Sequence, residues 1–186
     1  MSWIKKTYQN HRGKIIFVSR FAILWVLWKA FFFITWRTPE LLKWYNSFSL
    51  DVIALLLEGT YYLMTALGET MELDYVLRII RIKGTVGVTV GEPCIGFDLN
   101  AIYIGLILST SGKVFHKFWF LITGVAFLIF LNIVRIASLA YLVEINPWLW
   151  EVNHKFVFSI VIYLFLFIIW RIWVQNFSRN TSKVVI

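Results

Sequence analysis

The chain has 186 residues, of which 60% are hydrophobic, 19% aromatic and only 15% charged. Soluble domains carry about a quarter charged residues, so a water-soluble globular domain is excluded and a polytopic membrane protein is indicated. The net charge of +8 resides mostly in Lys and Arg beside or between apolar stretches, the usual place for topology-setting cations, and no nucleic-acid partner is expected.

Residues 1–14 are polar and basic, with Lys5, Lys6, Arg12 and Lys14. A first apolar span follows at about 15–36 and carries Arg20 and Lys29. No small-residue cleavage site comes after it, so it reads as a retained helix and not a signal peptide. A short loop with Pro39 and Lys43 leads to a second span at about 48–67, which contains Asp51 and Glu58. In the segment 69–92, Ile80, Ile82, Val86, Val88 and Val90 alternate with charged, Gly or Thr residues on both sides of Lys83-Gly84. That period of two predicts a β-hairpin at about 73–91, outside the hydrocarbon.

Further spans are expected at about 95–108, 118–143 and 156–174, separated by the STSGK turn and by Asn146-Pro147. The fold class expected is therefore an all-α polytopic membrane helix bundle of about five transmembrane helices, in a single domain over 1–186, with a small extramembrane β-hairpin. With five spans the flanking Lys and Arg divide seven against seven, so charge leaves the orientation open.

The lone cysteine, Cys94, forbids an internal disulfide and any CxxC redox or zinc site, and neither a metal nor a cofactor is expected. Pro93 suits the first turn of a helix, which places Cys94 among unpaired backbone N–H groups at the positive end of a helix dipole. That setting, with a cation nearby, favours the thiolate. Gly96 removes a side chain beside the sulfur and allows a substrate backbone to approach.

In the fourth span Asn132 and Arg135 stand three residues apart on one face, with Ser138 a turn further on. An arginine within a span faces a partner or a wet cavity. Asn132 can accept hydrogen bonds from its guanidinium; the alternative is that Arg135 pairs with Glu58 or Asp98 to hold helices together. His154 opens the fifth span on the membrane face where Cys94 opens the third. The set supplies a nucleophile, an acid/base and an oxyanion stabiliser. Taken singly, Cys94 also reads as an inert packing thiol.

The stretches EPCIGF, NIVRI and NHKF resemble the Cys, Asn-x-x-Arg and His motifs of the exosortase/archaeosortase family. The resemblance runs from about Leu67 to Trp173 and is strongest to the compact F-type members. It implies an integral-membrane cysteine protease/transpeptidase of the bacterial inner membrane. Its partners would be the lipid bilayer and exported proteins bearing a C-terminal motif, a transmembrane helix and a basic cluster. It also implies Cys94 as nucleophile, Arg135 as charged stabiliser and His154 as acid/base, on the extracytoplasmic face. With five spans, that face puts the tail after Arg171 in the cytoplasm and the N-terminus outside.

The family's common Cys-Ser-Gly is here Cys94-Ile95-Gly96, so a hydroxyl beside the sulfur is missing. An edge formed by Thr85–Val90 would take the sorting motif as an added strand, with Arg78, Arg81 or Glu92 selecting its polar residues. The competing reading is a non-catalytic membrane subunit, such as the substrate-binding component of a transporter.

Overall fold

A computed structural model describes residues 2–145 and 158–178, and the chain over them is mostly helical. Helix α1 (Ser2–Arg37) contains no proline and runs unbroken until Pro39 intervenes. A residue before proline is pushed out of the helical region, and Thr38 is accordingly extended, with φ −111° and ψ 109°. It is the only residue between α1 and α2 (Pro39–Ala66). Its N–H still bonds Ile34 O at 3.1 Å, and its carbonyl accepts from Leu42 N at 2.9 Å.

Next come strands β1 (Met71–Asp74), β2 (Ile79–Ile82) and β3 (Val88–Thr89), then a short helix α3 (Glu92–Ile95). The longer helices α4 (Phe97–Ser109), α5 (Val114–Ile145) and α6 (Phe158–Asn176) complete the described chain. Three helical stretches are long and apolar enough to cross a membrane, at 12–37, 39–66 and 114–143. The apolar part of α6 is shorter, and α4 has only 13 residues.

The β element is a three-stranded antiparallel sheet in the order β1-β2-β3, one strand more than the expected hairpin. The added strand pairs Met71 with Ile82 and Asp74 with Ile79. On the other side Ile80 meets Val88 and Ile79 meets Thr89. The β3 ladder is thus two residues long and does not extend over 85–90 as expected.

Side-chain contacts fix how the helices run. Lys29 and Phe21 of α1 meet Asp98 and Gly105 of α4. Gly96 and Tyr103, at the start and middle of α4, meet Asn132 and Gly124 of α5. Phe127 of α5 meets Phe165 of α6, and Phe120 meets Phe177. Partner numbers fall along one helix as they rise along the next, so α1, α4, α5 and α6 alternate in direction. One buried cluster joins α2, the sheet, Cys94, Ile95, Ile136 and Ala137. A second joins α4, α5 and α6 around Tyr103, Leu128 and Trp173.

The second cluster depends on a close approach at Gly124. The Tyr103 hydroxyl donates to Phe120 O of α5 at 2.6 Å, and a Cβ on residue 124 would collide with the Tyr103 ring and its oxygen. Gly124→Ala is expected to displace the ring and cost about 1–3 kcal/mol, as overpacking does. Thermal unfolding in detergent would read this as a lowered midpoint; an unchanged midpoint would mean that the α4–α5 contact is loose.

Candidate active site

Glu92, Pro93, Cys94 and Ile95 form the single helical turn α3, preceded by extended Gly91. Pro93 sits in the first turn, where its missing N–H is not needed. The turn does not continue into α4. Gly96 adopts the left-handed conformation, φ 74° and ψ 30°, and at once ends α3 and caps α4. The expectation that Cys94 opens a long helix is therefore corrected: the long dipole begins at Phe97, beyond the thiol. Cys94 is 6% exposed and packs in the cluster that holds Ile136 and Ala137.

Asn132 is 1% exposed. Its Nδ2 donates to the carbonyl of Ile95 at 3.4 Å, which ties it to the Cys94 turn; no hydrogen bond from Arg135 to its Oδ1 occurs among the described residues. This join requires glycine at 96, since a Cβ there would lie 2.8 Å from Asn132 Nδ2. A side chain in the left-handed region also costs about 1–2 kcal/mol. Gly96→Ala is expected to loosen the turn and speed alkylation of Cys94 in membranes. A rate equal to wild type would show that α3 is held by other contacts.

Arg135 lies one turn beyond Asn132 and is half-buried. Its Nε is buried with no hydrogen-bond partner among the described residues. Both carboxylates considered as structural mates are engaged elsewhere. Asp98 pairs with Lys29 at 2.9 Å and accepts from Trp28 Nε1 at 2.7 Å; Glu58 accepts from the Tyr75 hydroxyl at 3.2 Å. His154 lies outside the described residues.

Among the suggested selectivity residues, Arg78 and Glu92 line one small pocket of about 340 Å³ together with Asn46 and Ser49 of α2. Arg78 does so from a left-handed backbone, φ 56°. Arg81 is instead paired with Glu72 across the β1–β2 ladder at 2.9 Å. Asn46 and Ser49 were not among the expected site residues; their one sequence signal is a spacing of three, which puts both on one helical face.

A wider cavity of about 620 Å³, also unforeseen, is walled by Leu24, Trp28, Phe48, Phe97, Ile104 and Ile129 among others. Asn100 borders this cavity, and its Oδ1 is buried without a donor among the described residues. No cluster of three or more His, Cys, Asp or Glu that could hold a metal ion occurs among the described residues. No protein-family model, curated protein or solved structure matches the chain.

Proposed function

We propose that this chain is a membrane-embedded cysteine protease/transpeptidase, similar to the exosortases, that cleaves a C-terminal sorting signal of exported proteins. The observation that carries the reading is the Asn132–Ile95 hydrogen bond. It ties the Asn-x-x-Arg segment of α5 to the turn that bears the chain's sole thiol. The unpartnered Nε of Arg135, a turn further along, adds to it. A buried guanidinium nitrogen without an acceptor is costly, and a carbonyl oxygen becoming an oxyanion would supply that acceptor.

In this reading the Cys94 sulfur attacks the scissile carbonyl and forms a thioester. His154 passes the thiol's proton to the departing amine of the C-terminal fragment. An amine of the acceptor, or water, then attacks the thioester and restores the thiol. The Arg78–Glu92 pocket, close in sequence to the nucleophile, would hold a polar residue of the motif. A thiol only 6% exposed is reached when the α3 turn opens toward the arriving peptide.

A trapping experiment tests the reading. A substrate bearing a motif, a transmembrane helix and a basic cluster is co-expressed with the chain. A covalent adduct at Cys94 that hydroxylamine releases is the expected product. Processing that proceeds with no such adduct would refute the thioester route.

The second reading, a non-catalytic binding subunit, is favoured by the apolar cavity of about 620 Å³, a size suited to a small molecule. Retention of a small apolar ligand through purification, with Cys94 dispensable, would favour it over the peptidase.

A further inference from the structure

Helix α2 is as long as a membrane span, yet its surface is not that of one. Glu40, Lys43, Ser47, Asp51 and Glu58 are all exposed, and their helical spacing puts them on one face. The opposite face, through Tyr45, Ser49, Ile53, Leu56, Thr60 and Met64, is buried against the protein. Between the two lies an exposed apolar flank of Trp44, Phe48, Leu55 and Tyr62. Asp51, in mid-helix, has no ion pair among the described residues. A lipid-facing carboxylate in mid-span is strongly unfavourable, and such residues normally turn inward. Water on the charged face and lipid on the flank satisfy all three faces, as for a helix lying in the interface.

The path of the chain agrees. Antiparallel helices need a connection of about two to five residues, and α1 and α2 are joined by Thr38 alone. Contact between them is made near the joint, where Phe32 meets Tyr45. The later turns of α2 pack instead on the second half of α5 and on the sheet: Gly59 faces Ile133, and Met64 shares a cluster with Met71 and Ala137.

Charge then gives the side. The first half of α1, the α4–α5 corner and the end of α6 meet at one end, through the Phe17–Trp170 and His116–Phe177 contacts. That end bears Arg12, Lys14, Arg20, Lys113, Lys117 and Arg171 and, among the described residues, no Asp or Glu. The opposite end bears Arg37, Lys43, Arg78, Arg81 and Lys83. The end richer in Lys and Arg stays in the cytoplasm.

We propose that α2 is an interfacial helix seated in the lipid headgroup layer of the extracytoplasmic leaflet, and that the chain crosses the bilayer through α1, α4, α5 and α6 only. This replaces the five-span expectation and divides the fourteen Lys and Arg of the seven-against-seven tie into nine inside and five outside, with Lys155, before α6, making six outside. It brings the N-terminus into the cytoplasm and places the sheet and the Cys94 turn at the outer face. It stands on geometry and charge and goes beyond the peptidase reading; either can fail without the other.

Sidedness tests it. Single cysteines are placed at Ser47, Asp51, Lys83 and Ser111 in the Cys94→Ala chain. Right-side-out membrane vesicles are then treated with a membrane-impermeant maleimide before and after permeabilisation. Ser47→Cys, Asp51→Cys and Lys83→Cys are expected to label fully from outside, and Ser111→Cys only after permeabilisation. The near-isosteric Ser47→Cys guards against misfolding at Asp51. If Ser47→Cys and Asp51→Cys label only after denaturation, α2 lies in hydrocarbon and the proposal is wrong. If Ser111→Cys labels from outside, or Lys83→Cys only after permeabilisation, the assigned orientation is wrong.

Discussion

Cys94→Ala is expected to reduce processing of a sorting-signal substrate to background while the protein remains inserted at a near-normal level. The chain has no second thiol to substitute, and removing one buried sulfur costs about 1 kcal/mol, comparable to deleting a buried methyl group. Loss of product therefore reports chemistry and not folding, provided immunoblotting shows the membrane level preserved. Cys94→Ser is expected to be equally inactive, because a hydroxyl is a far weaker nucleophile than a thiol at neutral pH. Normal maturation in either variant would exclude Cys94 as the nucleophile. Its burial would then be its whole role, as a packing thiol in the core between α2 and α5.

Arg135→Lys is expected to lose about two to three orders of magnitude in turnover, the range for removing one oxyanion donor. Lysine keeps the charge but not the planar fork, and Arg135 has no ion pair among the described residues for a lysine to inherit. Pairing turnover with protein level separates catalysis from structure. A catalytic role predicts a normal level, normal alkylation of Cys94 and a collapsed turnover. Near-normal turnover would reduce Arg135 to a point charge, and a lowered level with proportionate turnover would make it a structural residue.

How much was legible in the sequence depends on the range of the interaction involved. The long apolar runs mark helices through local chemistry, and α1, α2 and α5 follow them; the loop expected at Pro39 and Lys43 is instead the start of α2, because proline suits the first turn of a helix. Alternation around Lys83-Gly84 pointed to β2 and β3. It did not reveal β1, because Met71-Glu72-Leu73-Asp74 is too short to display a period and is made a strand by its partners, the Glu72–Arg81 pair among them.

At the site, the residues of the Cys94 turn and of the Asn132 segment could be singled out from the sequence. The bond that joins them, Asn132 to Ile95 O, could not, since it depends on Gly96 breaking α3 from α4. The same limit explains why the expected mates of Arg135 pair elsewhere, because only folding brings Asp98 to Lys29 and Glu58 to Tyr75. The charged face of α2 was present in the spacing of its charged residues, masked by an average hydropathy that passes for a span.

The shortness of α4 has a consequence for the lipid. Its 13 residues rise about 20 Å, whereas the hydrocarbon of a typical bilayer is about 30 Å thick. In the four-crossing arrangement, a segment that short is accommodated by thinning the surrounding membrane or by tilting its neighbours, each at a modest cost per ångström of mismatch. In that arrangement thickness would become a variable for the protein: membranes of shorter acyl chains would relieve the dip around α4, and thicker, more ordered ones would deepen it. The Cys94 turn stands at the head of that short helix; under the proposed peptidase reading, the same mismatch would set how far a substrate bond must travel from the headgroup layer to meet the sulfur.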